Sequence, residues 1–183
     1  MREKISTLPK QGGPNDEDED YESRINSFYD WFIFDFHCPY LKKSILQDYI
    51  EHHKVEDHVA KSLLTTTFSL FEFSKINFRK KIVLEDLLHK KKVVLTQDKA
   101  NIGLIEKDLF VGHYLTYQGD NYLLSGLAAI SHEIRPYLTK EIKRLQKINQ
   151  IEEHKDFLLK LKFLRNKMKR YAHVHPKDIF QFN

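Results

Sequence analysis

The N-terminal third of the chain carries apolar residues at helical spacing. From residue 21 onward every third or fourth residue is apolar and mostly aromatic, which predicts a buried helix that stops before Pro39. The residues at this spacing are Ile25, Phe28, Tyr29, Phe32 and Phe36. The same period returns over residues 41–53 and 55–66 and predicts two shorter helices, so we expect residues 21–66 to be helical.

The middle of the chain, residues 69–126, is typical of strands. Short runs rich in β-branched and aromatic residues alternate with turn residues and contain no helical period. The runs lie at residues 70–76, 82–88, 93–96, 109–117 and 122–126. Because no crossover helices separate them, they predict a small antiparallel sheet or partly open barrel of about five strands, not a parallel sheet.

Helical spacing resumes over residues 131–171, as one long helix or as a pair broken near Gln150. These elements together predict an α+β fold with a single domain over residues 21–172. Residues 1–20 combine a glycine–proline break with an acidic run, which predicts a disordered acidic leader. Residues 173–183 are expected to form a C-terminal tail.

Composition narrows the class of protein. The 183 residues include thirteen Phe and nine Tyr, which predict a core built from aromatic rings. Cys38 is the only cysteine, so no disulfide can form within the chain, as expected of a protein in a reducing compartment. Residues 1–11 lack the apolar core of a signal peptide, and no apolar run approaches the ~20 residues that span a bilayer. We therefore expect a cytoplasmic protein with no membrane partner.

The net charge of +4 is unevenly distributed. Residues 1–22 carry a net charge of −4, whereas residues 135–171 carry twelve basic residues and four acids, a net charge of +8. A basic stripe of this kind can neutralise the phosphates of a nucleic acid or contact an acidic protein; otherwise it is the solvated face of an amphipathic helix. The residues expected to contact such a partner are Lys140, Lys143, Arg144, Lys147, Lys162, Arg165, Lys169 and Arg170.

No segment carries a recognisable catalytic, cofactor or metal motif. The ten histidines match no zinc-ligand spacing, and His173 with His175 is the best, though weak, candidate for a metal. Glycines are too scattered for a phosphate-binding loop, and the serines lack a nucleophile elbow. We therefore assign no catalytic residue, no cofactor and no metal from the sequence.

An ordered set of short motifs resembles a family of uncharacterised bacterial proteins that are often joined to an SEC-C metal-binding motif. The set covers about residues 25–145, and its members are Phe28–Phe36, Ser69–Phe73, Val83–Leu88, Lys107–Phe110 and Tyr122–Gly126. The resemblance implies helices followed by strands and assigns no activity. The SEC-C cysteine cluster is missing here, so zinc binding of that type is not implied. In other proteins SEC-C segments contact chaperones or ribosomes, which is a loose indication of an adaptor.

Three functions follow as hypotheses. The first is a non-catalytic binding or adaptor protein whose basic C-terminal helix contacts nucleic acid, the ribosome or an acidic protein. The second is an enzyme whose site lies between the sheet and the helices and uses His113, Glu72 or Asp86. The third is a structural homo-oligomer, for example a homodimer, in which the long helix packs against its own copy.

Overall fold

The N-terminal helices are shorter than the sequence predicts. The computed structural model describes residues 21–97, 103–148, 150–171 and 173–182, so the predicted leader over residues 1–20 lies outside the described residues. The helices of this part are α1 (Tyr21–Asp30), α2 (Ile45–His52) and α3 (Asp57–Leu64). Between α1 and α2 lies a small antiparallel pair of strands, β1 (His37–Cys38) and β2 (Lys43–Ser44).

The helix α1 continues as a π-helix over Trp31–Asp35. In this segment the Phe36 amide donates to the Trp31 carbonyl oxygen at 2.9 Å. This hydrogen bond reaches back five residues, whereas the hydrogen bonds of an α-helix reach back four. The wider turn inserts one residue into the helical register, and such insertions are frequent at functional sites. It places Asp35 at the end of the helical segment.

A capping box fixes the start of α2. The Ser44 hydroxyl accepts from the Gln47 amide at 3.1 Å, and the Gln47 side chain accepts from the Ser44 amide at 2.9 Å. The two hydrogen bonds satisfy backbone amides that have no partner within the helix. The helix therefore begins at Ile45, whereas the apolar period predicts a start at Leu41.

The main sheet is antiparallel and follows the order β5–β4–β3–β6–β7. Its strands are β3 (Thr67–Ile76), β4 (Ile82–Asp86), β5 (Lys91–Val94), β6 (Leu109–Tyr117), β7 (Asp120–Leu123) and β8 (Ala128–Ile130). The last strand, which the sequence does not predict, pairs with β6 beyond the end of β7. The register between β3 and β4 shifts between Phe73 and Lys75, and a bulge of this kind increases the curl of the sheet.

The curled sheet brings its two edges together. Leu95 forms a single parallel bridge with Asn121, and the Thr96 amide donates to the Asn121 carbonyl oxygen at 3.0 Å. The Gln97 side chain then bonds both the amide and the carbonyl of Leu123, at 2.7 and 2.8 Å. The predicted α+β fold with a partly open barrel is confirmed.

Two cores lie on opposite faces of this sheet. The inner face is packed with the fully buried side chains of Phe71, Phe73, Leu84 and Phe110 and with their neighbours. The outer face packs against the C-terminal helices through a second cluster that includes Leu70, Val111, Leu138 and Leu158. Aromatic rings therefore fill the barrel interior, as the composition predicts.

The C-terminal region is a helix pair. After a short 3-10 turn, α4 (Arg135–Leu145) ends before Gln150, and α5 (Ile151–Arg170) follows. The predicted tail contains a further short helix, α6 (Pro176–Ile179), and Ile179 and Phe180 are buried in the outer core. None of the helices described is both long and apolar enough to cross a bilayer.

Candidate functional site

A buried carboxylate–imidazole pair joins the N-terminal helices to the sheet. Asp35, at the end of the π-helix, lies with Oδ2 2.6 Å from Nε2 of His113 in β6. The two side chains are only 9% and 2% exposed. The imidazole stacks on Phe68 at a centroid distance of 4.4 Å, which fixes the plane of the ring. Its other nitrogen, Nδ1, is buried and has no hydrogen-bond partner among the described residues.

The surroundings of this pair favour the charged form of Asp35. Burial favours the neutral acid, but the bond from His113 and the ammonium of Lys155 outweigh it, so the pKa of Asp35 lies below its usual value. Lys155 Nζ lies 3.3 Å from Asp35 Oδ1. Asp35 is therefore a carboxylate held between an imidazole and an ammonium group.

A second carboxylate–imidazole pair lies at the end of β4. Asp86 is fully buried, and its Oδ2 lies 2.8 Å from Nδ1 of His89. The other oxygen accepts from the Ser69 hydroxyl at 2.6 Å and from the amides of Leu88 and His89. Burial opposes the charge, yet the bonds from His89 and Ser69 prevail and hold the pKa of Asp86 below its usual value.

This arrangement fixes the tautomer of His89. An ionised carboxylate only accepts, so His89 Nδ1 carries a proton, and in the neutral ring Nε2 keeps the lone pair. Nε2 has no hydrogen-bond partner among the described residues, and the side chain is 34% exposed. The ring of His154 lies 5.4 Å away, and its Nε2 donates to the carbonyl oxygens of Leu145 and Ile148 at 3.1 Å. Both imidazoles are thus oriented by groups behind them.

The two pairs border one groove. A cavity of about 340 Å³ lies between the N-terminal helices, the sheet and the start of α5, and a neighbouring cavity of about 320 Å³ shares four of its residues. The shared residues are Asp35, His37, Phe68 and Lys155. His89 and His154 line the larger cavity. We call these two adjoining cavities the groove; it is of the size that accepts a small molecule.

The groove combines apolar walls with a few oriented polar groups. Asp35 and Lys155 offer opposite charges, and the oriented imidazole of His89 lines the larger cavity. An imidazole oriented by a buried carboxylate is the arrangement that enzymes use for a general base. Within the described residues, no group of three or more His, Cys, Asp or Glu side chains is placed to hold a metal ion.

Near the Asp35–His113 pair lie two further titratable groups, the half-buried Asp30 and the buried Lys162. Burial raises the pKa of Asp30 in spite of His113, the Gly126 amide and Lys162, which favour its charged form. Burial likewise lowers the pKa of Lys162 to about 8, although Asp35 and Asp30 act in the opposite direction. The pKa of Asp30 is raised and that of Asp35 is lowered. Neighbouring carboxyl groups whose pKa values shift in opposite directions are common at functional sites.

The structure separates the basic residues singled out in the sequence. Lys162 and Arg165 are 7% and 8% exposed, so the expectation that they lie on an exposed face is wrong. They point inward because α5 packs against α1 as well as the sheet, and Arg165 donates to the Ala129 carbonyl oxygen at 2.6 Å. Arg144 is exposed but pairs with Glu141 and Glu153, both at 2.7 Å. The other exposed members of the set are Lys140, Lys143, Lys147, Lys169 and Arg170.

The three residues of the enzyme hypothesis fall in three places. His113 belongs to the pair with Asp35, and Asp86 supports His89. Glu72 lies apart and pairs with Arg135 at 2.5 Å. Sequence reasoning missed Asp35, which is 78 positions from His113. It also missed His89, although a histidine three residues after an acid at a strand end was a usable local signal.

Comparison with known proteins gives a family and no activity. Residues 5–169 match the model of a family of unknown function (DUF7986). No curated protein and no solved structure matches the chain.

Proposed function

The chain belongs to this family of unknown function, and from its own side chains we propose that it binds a small polar molecule in the groove and acts on it by acid–base catalysis. The observation that carries the proposal is His89. Its imidazole is bonded to a fully buried carboxylate on one side and lines a cavity on the other. A histidine that is oriented by a buried carboxylate and faces a cavity is a candidate functional residue.

Each polar group of the groove has a role in the proposal. His89 Nε2 takes a proton from the ligand, and Asp86 stabilises the imidazolium that forms. Lys155 and Asp35 bind complementary groups of the ligand and orient it. Phe68 and the apolar walls exclude water, which strengthens these interactions.

Binding is tested first, without knowledge of the substrate. A library of small polar molecules is added to the ¹⁵N-labelled protein, and the backbone amide shifts are followed by NMR. The proposal expects binders whose shifts cluster at Asp35, Phe68, His89 and Lys155. Shifts confined to residues outside the groove would contradict it.

Catalysis is tested with p-nitrophenyl acetate, a small activated ester. A general base contributes about 10²–10⁴-fold with a cognate substrate, and we expect His89→Gln to lower the rate above background by about tenfold with this ester. His52→Gln is the matched control, because His52 is exposed and bonds only to its own helix and Asp48. Equal rates for His89→Gln and the wild type would refute the catalytic role.

A second candidate is the adaptor role of the basic C-terminal region. Lys140, Lys143 and Lys147 are exposed around the end of α4, and none of them forms an ion pair with a described carboxylate. These three residues, which we call the α4 basic patch, are free to contact an acidic partner such as a nucleic acid, the ribosome or an acidic protein face. Arg144 is excluded because two glutamates already neutralise it.

Charge reversal tests the α4 basic patch. A short fluorescent single-stranded RNA is titrated with the wild type and with the triple variant that carries Glu at all three patch positions. Loss of three phosphate contacts should flatten the plot of log affinity against log salt concentration by about 2. The control reverses three exposed lysines elsewhere, Lys54, Lys61 and Lys75. Equal affinities and slopes for the patch variant and the wild type would remove this candidate.

Two further points belong to the same proposal. Cys38 is a free cysteine, as suits a reducing compartment such as the cytoplasm. The ordered motifs over residues 25–145 support a bacterial origin and a kinship with proteins that carry SEC-C motifs.

A further inference from the structure

The turn between β3 and β4 presents an aromatic ring to solvent. We call residues 77–81, which form this turn, the β3–β4 tip. Phe78 is 90% exposed, and no large apolar side chain among the described residues is more exposed. It belongs to neither core, and no residue of the tip lines the groove or lies in the α4 basic patch. Neither the packing of the fold nor the groove therefore uses this ring.

Four hydrogen bonds fix the backbone of the β3–β4 tip. The Asn77 amide donates to the Lys81 carbonyl oxygen, and the Lys80 amide donates to the Asn77 carbonyl oxygen, both at 2.9 Å. The side-chain oxygen of Asn77 accepts from the amides of Arg79 and Lys81 at 2.9 and 3.0 Å. Because this backbone is already ordered, a partner that binds Phe78 has little loop entropy to overcome.

Positive charge surrounds the ring. The tip contains Arg79, Lys80 and Lys81 and no acidic residue. Lys81 is directed back to the sheet, where its Nζ donates to the Thr96 carbonyl oxygen at 2.6 Å. Arg79 and Lys80 are exposed, and neither forms an ion pair with a described carboxylate. The Arg79 guanidinium lies over the Phe78 ring, with 5.4 Å between Cζ and the ring centroid.

This combination restricts the kind of partner. An exposed ring beside two cations fits a polyanion that also has flat apolar faces. Single-stranded nucleic acids have both, since their phosphates attract cations and their unstacked bases stack on aromatic side chains and guanidinium planes. An anionic lipid surface fits less well, because segments that bind it carry about four to eight clustered basic residues. A single ring also buries less apolar surface than a myristoyl chain, which by itself gives only marginal membrane binding.

We propose that the β3–β4 tip binds single-stranded nucleic acid. Phe78 stacks on one base, and Arg79 and Lys80 contact the phosphates that flank it. The contact is tolerant of sequence, because every base has a π-face. The site is independent of acid–base chemistry in the groove and of the α4 basic patch.

The test compares two fluorescent oligonucleotides with equal numbers of phosphates, one of thymidine and one of abasic sites, by fluorescence anisotropy at constant ionic strength. The wild type should bind oligothymidine about tenfold more tightly, the effect of one stacked base. Phe78→Ala should remove this preference and Phe78→Tyr should keep it, and both variants should fold because the side chain is exposed. Tyr40→Ala is the matched control, since Tyr40 is 89% exposed between β1 and β2, and it should leave both affinities unchanged.

The phosphate contacts are tested by a double variant. Arg79→Gln combined with Lys80→Gln should weaken the binding of both oligonucleotides. It should also flatten the plot of log affinity against log salt concentration by about 1.4, the effect of losing two phosphate contacts to a single strand. An unchanged slope would contradict these two contacts.

Equal affinities of the wild type for the two oligonucleotides, or the same preference in Phe78→Ala, would overturn the proposal. Vesicles that contain phosphatidylserine test the lipid alternative. Vesicle binding that Phe78→Ala abolishes, together with no preference for oligothymidine, would assign the tip to a membrane surface instead. The preference for a base does not depend on the α4 basic patch, which contacts phosphates, and activity in the groove is not measured. Failure here therefore leaves the proposed function untouched.

Discussion

Replacement of Asp86 by Asn should destabilise the protein and change the tautomer of His89. The carboxylate accepts four hydrogen bonds in a site with no exposure to solvent. Asn keeps one acceptor oxygen and replaces the other with a donor. If the oxygen keeps the bonds from Ser69 and the two amides, the new NH₂ group faces His89, which must then offer a lone pair from Nδ1 and carry its proton on Nε2.

The expected loss in the free energy of unfolding follows from the hydrogen bonds whose acceptor is no longer charged. A hydrogen bond to a charged group contributes about 1.5–3 kcal/mol, and a neutral one about 0.5–1.5 kcal/mol. Four bonds to Asp86 would therefore lose roughly 4 kcal/mol in total. The neutral side chain is easier to bury, which offsets part of this loss, so we expect a net cost of about 3 kcal/mol at neutral pH.

Urea unfolding followed by the fluorescence of Trp31, the single tryptophan, measures this cost. The folded-state pKa of Asp86 is lowered, so its contribution is present above the unfolded-state pKa of about 3.9 and disappears as pH falls through the folded-state value. The difference between Asp86→Asn and the wild type should therefore shrink in acid. Asp156→Asn, at an exposed position on α5, is the control and should change stability by less than about 0.5 kcal/mol. A cost for Asp86→Asn below about 1 kcal/mol at neutral pH would refute the reasoning.

Three further changes test the packing around the groove and the barrel. Gly126→Ala would place a Cβ in steric conflict with Asp30 Oδ2, so thermal unfolding should show a loss of about 1–3 kcal/mol of stability, and an unchanged midpoint would contradict the contact. Asp35→Asn should lower the free energy of unfolding by about 1.5–3 kcal/mol above pH 5 and by progressively less in acid, since the pKa of Asp35 is lowered. A loss in urea unfolding that does not depend on pH would contradict this prediction. Leu95→Ala should cost about 2–5 kcal/mol and speed hydrogen exchange at the barrel closure; unchanged exchange would argue against closure there.

Much of the fold could be predicted because strands and helices differ in apolar period. β6 was predicted with the observed bounds, since its run of β-branched and aromatic residues ends at an evident turn. β8 was missed because Ala128–Ile130 is too short to display a period. The π-helix was missed for a related reason, since one inserted residue does not disturb a spacing of three to four.

The site was harder to predict than the fold. Asp35 and His113 meet only because the barrel carries β6 against the N-terminal helices, a long-range contact that no local pattern encodes. Lysine was taken to point outward, yet the ammonium of Lys162 is buried, over the Phe68 ring and 3.5 Å from the Ser27 carbonyl oxygen. A basic period alone therefore does not define a surface.

The central claim is that a buried carboxylate orients His89 as a base facing the groove, and its ring nitrogens test this most directly. A long-range ¹H–¹⁵N NMR spectrum of the neutral imidazole should show the proton on Nδ1 in the wild type and on Nε2 in Asp86→Asn. A wild-type His89 with its proton on Nε2, or the same tautomer in both proteins, would contradict the account.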